Sequence, residues 1–174
     1  LYTTAGEPNI IVTDDIMDFY NTAYHELFSV GVGWSTALQT FSMPQLQSVD
    51  DFFLILSNSM LTTISFDSLT SVGDNMRFDD NAVLAKLTFN SLTTIGGYLA
   101  INNNPALTTA SFPSLTTVNG VFDVRTQGSI VWYADQHFPA LMHVDSFSDD
   151  CDPNLRLLLL ARRGFTVGMP SDIF

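Results

Sequence analysis

The sequence predicts a parallel β-solenoid, in which short coils stack so that equivalent strands of neighbouring coils pair side by side. Two observations support this fold class. First, residues 89–95, FNSLTTI, return 23 residues later as FPSLTTV at 112–118, and apolar residues keep that step over about five coils. Second, apolar residues within a coil alternate with outward positions, as at Leu99 and Ile101. This alternation is typical of a strand with one buried face.

The repeated apolar positions define the core that we expect along the stack. A coil of this length cannot bury its apolar face alone, so each coil must be covered by its neighbours. Seven apolar positions of the coil recur at the 23-residue step. Two columns that we expect in the core are Phe66, Phe89 and Phe112, and Leu69, Leu92 and Leu115.

Glycine and asparagine mark the predicted corners between strands. Gly96-Gly97 and Asn119-Gly120 precede two of the strands, and we expect them to supply the positive φ angles that a tight corner needs. Asparagine directly follows the strand in three successive coils. We expect these side chains to hydrogen-bond the backbone of their own and the next coil, with an exposed recognition ladder as the alternative. They are Asn58, Asn81 and Asn104.

The N-terminal segment 1–28 is predicted to cap the first coil, because the end of a solenoid exposes its core. Residues 10–12, IIV, are expected to form a short strand. Between 13 and 28 the spacing of apolar residues fits one face of a helix, and Asp14 and Asp15 fall in its first turn. The apolar positions of this predicted helix are Ile16, Phe19, Tyr20, Ala23 and Leu27.

A single domain is predicted over residues 1–174, with the repeats at 29–147 and a C-terminal cap at 148–174. The repeat slips near its end, because Phe138 follows Phe112 by 26 residues rather than 23. We therefore expect an irregular last coil that contains three inserted residues.

The C-terminal cap is predicted to contain a helix and a short strand. Asp152 suits the N-cap of this helix, Pro153 its first position and Gly164 its end. Arg162 and Arg163 fall in the last turn, where they complement the helix dipole. We expect this basic end to be solvated, and we expect the segment FTV that follows to extend the sheet.

The repeat F-x-S-L-T-[TS]-[IV]-G-G-x-[LF]-x-[IV]-x-x-N-x-x-L, carried by residues 43–124, resembles the leucine-rich repeats of the receptor L-domain branch. It is also similar to repeats of secreted microbial proteins and of fungal cell-surface proteins. The resemblance implies a right-handed parallel solenoid that binds partners at cell surfaces. The chain lacks the flanking cysteine-rich modules of the receptors and the paired cysteines of many fungal proteins with such repeats.

Composition limits the partners and the location. The chain has 18 acidic and 6 basic residues and a net charge of −12, so its surface repels nucleic acid and anionic lipid. No apolar run is long enough to insert into a membrane. Cys151 is the only cysteine, which excludes an internal disulfide framework. The chain begins at Leu1, and we expect an extracellular or cell-surface protein whose signal peptide has been removed, although a trimmed chain would begin in the same way.

No residue pattern names a reaction, and we expect neither enzymatic activity nor a cofactor. The chain has no nucleophile elbow and no phosphate-binding glycine loop. Aspartates beside Cys151 should raise the pKa of its thiol, which is the wrong direction for a nucleophile. His137 and His143 alone are too few ligands for a metal site. A calcium site is the alternative for one carboxylate cluster, which lacks the Asp-x-Asp-x-Asp-Gly spacing and consists of Asp145, Asp149 and Asp150.

The outward face of the predicted strands is the remaining candidate for function. It carries an apolar patch on a mostly polar surface, and such a patch marks a contact site. Cover by another part of the chain is the other explanation of this patch. The residues that we expect to bind a partner are Phe52, Leu54, Leu56, Arg77, Asp79, Tyr98, Asn102, Asp123 and Arg125.

Three functions fit these observations. The first is a non-catalytic binding or adhesion module that recognises a protein or a glycan through the sheet face. The second is a structural subunit, in which copies of the chain assemble into a fibre, sheath or surface layer. The third is ice binding through threonine columns such as Thr70, Thr93 and Thr116, although adjacent threonines between inward residues indicate a bend rather than a flat array.

Overall fold

The computed structural model describes residues 9–12, 18–20, 24–125 and 127–168, with side chains from residue 24 onward. These residues form a parallel β-solenoid, and the fold class predicted from the repeat is confirmed. The stack has about six turns rather than the five that the repeat predicts, because a further strand pairs with the first complete coil.

The strands are short, and most of them recur once in every turn. In chain order the elements are β1 (Asn9–Val12), β2 (Asp18–Tyr20), β3 (Glu26–Leu27), β4 (Ser29–Gly33), β5 (Thr40–Ser42), β6 (Ser48–Val49), β7 (Phe53–Leu56), β8 (Thr63–Ser65), β9 (Ser71–Val72), β10 (Met76–Asp79), β11 (Lys86–Thr88), β12 (Thr94–Ile95), β13 (Leu99–Asn102), β14 (Thr109–Ser111), β15 (Thr117–Val124), α1 (Ala134–His137), β16 (His143–Phe147), α2 (Pro153–Leu160) and β17 (Thr166–Val167).

Three series of strands run along the stack, and all of their pairings are parallel. The front ladder consists of β1, β4, β7, β10, β13 and the second half of β15. The strands β3, β6, β9, β12 and the start of β15 form a side ladder, which the start of β16 and β17 extend. The end of β16 pairs with the second half of β15 and so extends the front ladder. The strands β2, β5, β8, β11 and β14 form a separate back sheet. Phe53, Met76 and Leu99 lie directly beside one another, so the 23-residue step of the sequence is one turn of the stack.

The predicted core columns lie inside the stack. The rings of Phe66, Phe89 and Phe112 are fully buried and stack at centroid distances of 5.6 and 5.5 Å. Phe138 continues this stack at 5.2 Å from Phe112. The longer last coil contains the one-turn helix α1 just before Phe138, and the column is kept despite the extra residues. The second column is also fully buried and consists of Leu69, Leu92 and Leu115.

A ladder of buried asparagine side chains runs along the corner that follows the front ladder. Asn81 Oδ1 accepts a hydrogen bond from the backbone N–H of Asn58 at 3.1 Å, and Asn104 Oδ1 accepts one from Asn81 at 3.1 Å. Asn81 Nδ2 donates to the carbonyl oxygens of Ile55 and Asp79 at 3.0 and 3.1 Å. These amides therefore satisfy backbone groups that the corner leaves without strand partners.

The ladder is longer than the three asparagines of the sequence column. The backbone N–H of Ser35 donates to Asn58 Oδ1, and Gln127 Oε1 accepts from the backbone N–H of Asn104. All three asparagines are fully buried. They form an internal ladder, and the alternative of an exposed recognition ladder is wrong.

The glycines before the strands serve close packing rather than positive φ, so this part of the sequence analysis is wrong. A Cβ at Gly96 would lie 2.0 Å from the carbonyl oxygen of Gly73 in the previous turn, so only glycine fits there. The positive φ angles of the repeated turns occur at the opposite end of the front strands. There, φ lies between 52° and 60° at Trp34, Ser57, Asp80 and Asn103.

The prediction of a helix between residues 13 and 28 is wrong for those residues of the segment that the structure describes. Asp18–Tyr20 is β2 and pairs with β5, while Glu26–Leu27 is β3 and pairs with β6. Residues 13–17 and 21–23 lie outside the described residues. Pairing with the stack supplies backbone hydrogen bonds in a fixed register, and this tertiary context overrides the local helical spacing.

The helix α2 packs against the core after the last turn of the stack. The Asp152 carboxylate accepts hydrogen bonds from the backbone N–H groups of Asn154 and Leu155 at 3.0 and 2.8 Å, and Pro153 is the first helical residue. The inward side of the helix buries Leu155 and Leu159 against the core. These two leucines thereby belong to the same hydrophobic core as the stacked turns.

The helix ends at Leu160, so the two arginines predicted in its last turn lie beyond it. Arg162 is also not solvated as predicted. Its Nη1 donates to the carbonyl oxygens of Phe138 and Leu141 at 2.9 and 2.7 Å, and its Nη2 donates to Asp135 at 2.9 Å. This guanidinium therefore ties the C-terminal cap to the last coil.

Replacement of Arg162 by methionine should lower the free energy of unfolding by about 1.5–3 kcal/mol, because two carbonyl oxygens lose a charged donor. Urea unfolding followed by circular dichroism measures this change. Arg163→Met is the matched control, because Arg163 is exposed and should change stability by about 0.5 kcal/mol or less. Equal losses for the two variants would contradict the assigned role of Arg162.

Candidate binding surface

The front face is the outward side of the front ladder. Along β7, Leu54 and Leu56 are half-buried, whereas Phe53 and Ile55 are fully buried, so the two sides of the strand are clearly separated. The residues that the sequence analysis assigns to a binding face lie on the front strands or directly beside them in the chain. They are Phe52, Leu54, Leu56, Arg77, Asp79, Tyr98, Asn102, Asp123 and Arg125.

A shallow apolar groove of about 210 Å³ lies at the N-terminal part of the front face. Gly31 pairs in register with Leu54, and Gly33 pairs with Leu56. Because the two glycines carry no side chains, the surface is lower beside the two leucines. The residues that line this groove are Gly31, Val32, Gly33, Trp34, Phe52, Leu54 and Leu56.

Trp34 is the most exposed large apolar side chain of the groove, with 72% of its surface accessible. It has a φ of 55°, and Ser57 at the equivalent corner of the next turn has a φ of 57°. The fold therefore imposes the left-handed conformation at this corner, although tryptophan rarely adopts it. The sequence analysis missed Trp34, Gly31 and Gly33. Position 34 precedes Ser57 by 23 residues, and that signal could have placed it on the front corner.

A charged cluster adjoins the groove on the next strands of the front ladder. Arg77 pairs in register with Leu54, and Asp79 with Leu56. Arg77 forms an ion pair with Asp79, in which Nε donates to Oδ2 at 2.8 Å. The guanidinium also lies over the ring of Tyr98, 5.8 Å from its centroid. The front face thus changes from apolar to charged within one turn.

Asp123 extends the charged cluster toward the C-terminal end. It accepts hydrogen bonds from Arg125 Nη2 at 2.9 Å and from Asn102 Nδ2 at 3.1 Å. Burial alone would raise the pKa of Asp123, but the hydrogen bonds from Arg125, Asn102 and Ser148 lower it overall. The stabilisation from this carboxylate is therefore complete above the ordinary aspartate pKa of about 4 and is lost as the pH falls through the lowered pKa.

Two oxygen atoms of this cluster are buried and receive no hydrogen bond from the described residues. They are Asp79 Oδ1 and Asn102 Oδ1, and the two residues are neighbours in register. Buried polar atoms are nearly always hydrogen-bonded. Each of these two oxygens could accept a hydrogen bond from a donor group.

Two of the three carboxylates considered as a calcium site are paired with positive or titratable groups. Asp150 forms an ion pair with Arg125 at 3.0 Å, and Asp145 lies 3.0 Å from His143 Nε2. Asp149 is exposed. Within residues 9–12, 18–20, 24–125 and 127–168, no three histidine, cysteine or acidic side chains gather as metal ligands.

A hydrogen-bonded row of three side chains lies on the side ladder. His143 Nδ1 lies 2.7 Å from Thr166 Oγ1, and its Nε2 lies 3.0 Å from Asp145 Oδ1. Acyl transfer would also need backbone N–H groups to stabilise an oxyanion. The N–H groups of Thr166 and Gly168 instead bond to carbonyl oxygens of the neighbouring strand. The contact between His143 and Thr166 thus links β16 to β17.

Cys151 and His137, the other two residues that could take part in catalysis, are buried. Burial raises the pKa of the Cys151 thiol to about 11, so the thiol stays protonated at neutral pH. His137 is 3% exposed, and its two ring nitrogens lie 2.7 and 3.2 Å from the carbonyl oxygens of Ala110 and Val131. The contacts of both residues are therefore structural.

The threonine columns bond to the backbone of the stack. The hydroxyls of Thr70, Thr93 and Thr116 each donate to a carbonyl oxygen one turn earlier, at 2.8–3.0 Å. The back sheet carries another series of hydroxyls, and exposed Lys86 interrupts it. The exposed or half-buried residues of this series are Thr40, Ser42, Thr63, Ser65, Lys86, Thr109 and Ser111, whereas Thr88 is buried.

Of the helices that the structure describes, none has the length and apolar character that a membrane span needs. Comparison with models of protein families, with curated proteins and with solved structures finds no match to this chain.

Proposed function

We propose that this chain is a non-catalytic binding module that holds a protein partner in the groove on the front face. The observation that carries this proposal is the apolar groove with exposed Trp34 at its edge, beside the charged pair Arg77 and Asp79. Tryptophan is among the residues that dominate the energy of protein–protein binding. A polar rim around an apolar centre is the usual arrangement of such interfaces.

The chemistry of the groove favours a protein over a glycan. Its side chains are apolar, and the indole N–H of Trp34 is the only polar side-chain group among the residues that line it. A glycan would bury hydroxyl groups that need hydrogen-bond partners, and an unpaired buried hydroxyl is costly. Leucine, valine or phenylalanine side chains of a partner need no such partners.

We further propose that the solenoid is of the receptor L-domain-like leucine-rich-repeat type and acts outside the cell or at its surface. The repeat pattern of residues 43–124 supports the type. The continuous core of the stack supports an extracellular location, because it provides stability without disulfide bonds. A rigid ladder of parallel strands also suits recognition, since it holds the groove in one shape before the partner arrives.

Selection of a displayed peptide library against the chain tests this function. Enriched peptides should carry apolar side chains, and the double variant Leu54→Ser/Leu56→Ser should bind them about tenfold or more weakly. Val131→Ser is the matched control, because Val131 is 60% exposed but does not line the groove. Circular dichroism should show that both variants stay folded.

Two outcomes would contradict the proposed function. One is enrichment of peptides that bind the double variant as tightly as the wild-type chain. The other is a glycan array that gives specific binding unaffected by the double variant, while the peptide library gives none. Unfolding of the double variant would show that the leucines hold the chain together, and Trp34→Ala would then test the groove without removing them.

A second candidate function is assembly of copies of the chain into a fibre, sheath or surface layer. One specific observation favours it. The helix α2, at the end of the stack, exposes Leu157, Leu158 and Leu160 by 66%, 44% and 49%.

A further inference from the structure

The outward side of α2 is an apolar surface with a positive charge at each end. Leu157, Leu158 and Leu160 form the leucine face of this helix. Exposed Arg156 and Arg163 flank it. A helix that only capped the stack would need an apolar inward side and a polar outward side. We therefore expect the leucine face to pack against a partner surface.

The charge of the chain changes along its sequence. Residues 1–76 contain nine acidic residues and no lysine or arginine, whereas residues 153–163 contain three arginines and no acidic residue. The groove lies in the acidic part, and Asp50 and Asp51 directly precede Phe52 in its lining. The groove thus borders Asp50 and Asp51, whereas the leucine face borders Arg156 and Arg163. Arg77 beside the groove is already paired with Asp79, and Asp135 beside Leu158 is already paired with Arg162.

We propose that the leucine face of one copy docks into the groove of a second copy. Apolar contact and attraction between Arg156 or Arg163 and the acidic turns then act together. The proposal rests on the proposed function of the groove and names a second copy of this chain as its partner. Because the two surfaces are different, the contact is head-to-tail and can continue into a filament or close into a ring.

Symmetric pairing is less favourable for both surfaces. Two leucine faces that packed on each other would bring arginines of the same charge together. Two grooves that faced each other would bring Asp50 and Asp51 of the two copies together, and Arg77, which pairs in register with Leu54, is already ion-paired with Asp79. With a net charge of −12, copies repel each other on average, and contact between the arginines of the helix and the acidic turns reduces this repulsion.

Complementation between two disabled variants tests the head-to-tail contact. The groove variant is Leu54→Ser/Leu56→Ser, and the helix variant is Leu157→Ser/Leu160→Ser. Analytical ultracentrifugation at low salt should show assembly of the wild-type chain, and each variant alone should remain a monomer. A mixture of the two should form a 1:1 dimer and nothing larger, because only one intact helix and one intact groove remain.

Charge provides a second measurement on the same contact. The double variant Arg156→Glu/Arg163→Glu should assemble about tenfold or more weakly than the wild-type chain. A higher salt concentration should also weaken assembly of the wild-type chain. Mixing this double variant with a chain that carries Asp50→Lys should restore part of the lost affinity. Val131→Ser, which alters neither surface, should assemble like the wild-type chain.

Each contrary result has a distinct meaning. A monomeric wild-type chain at all concentrations, or a helix variant that assembles normally, overturns the head-to-tail proposal. The proposed function still stands in that case if selected peptides need Leu54 and Leu56. Assembly of the groove variant alone shows pairing of helices and also overturns the proposal. Peptides that bind the groove variant normally overturn the proposed function itself.

Discussion

Phe89→Ala should lower the free energy of unfolding by about 3–5 kcal/mol, because it opens a cavity that the stacked turns cannot fill. The Phe89 ring is fully buried and stacks on Phe66 and Phe112 at 5.6 and 5.5 Å. Phe53 and Phe78 pack against it at 5.6 and 5.5 Å. The loss therefore reaches three successive turns.

Denaturant unfolding measures this loss, and the chain offers a control of the same residue type. Phe52 is half-buried on the front face, so Phe52→Ala should cost about 1 kcal/mol or less. Similar costs for the two variants would show that the inward and outward assignments of the strands are incorrect.

Asn81→Ala should lower the free energy of unfolding by about 3–5 kcal/mol, although it removes few atoms. It deprives the backbone N–H of Asn58 of its acceptor and the carbonyl oxygen of Ile55 of the amide donor. The carbonyl oxygen of Asp79 also loses this donor but keeps the backbone N–H of Ser57. These groups are buried in the corner, where water cannot replace the lost partner. The cost is therefore mainly that of unsatisfied polar groups rather than of a cavity.

Asn90→Ala is the control for the asparagine ladder. The side chain of Asn90 bonds only to Asp67 in an exposed position, and its loss should change stability by about 0.5 kcal/mol. Thermal unfolding of the two variants separates these cases. If Asn81→Ala also costs less than about 1 kcal/mol, the ladder does not stabilise the stack as assigned.

The repeated part of the fold could be predicted because the residues of one column occupy the same environment in successive turns. Leu69, Leu92 and Leu115 occupy equivalent positions, so a single register explains all of them. The N-terminal segment offers no such repetition. Its apolar spacing fits a helix, but β2 and β3 obtain their hydrogen bonds from strands one turn further along the chain. Local spacing contains no information about those distant partners.

The corners show a second limit of sequence reasoning. Glycine suits both positive φ and close backbone approach, and the sequence cannot separate these two uses. At Gly96 the reason is the 2.0 Å distance that a Cβ would have to the Gly73 carbonyl oxygen. Positive φ instead falls on Trp34 and its equivalents, which are not glycines.

The candidate site was predicted in part. Leu54 and Leu56 could be placed on the front face because they alternate with buried residues of the same strand. Gly31 and Gly33 have no side chains, so no pattern of apolar residues includes them, yet they lower the floor of the groove. The helix α2 was predicted as a cap, but its leucines follow one another without a break, so the sequence does not show that Leu155 and Leu159 are the buried ones.

The fluorescence of Trp34 tests the central claim most directly, namely that a partner occupies the groove. The chain has two tryptophans, and Trp132 is buried, so Trp132→Phe leaves Trp34 as the only reporter. On binding a selected peptide or a second copy, its emission should shift to shorter wavelength and its quenching by acrylamide should fall. Complete binding, established by ultracentrifugation, with unchanged emission and quenching of Trp34 would contradict the claim.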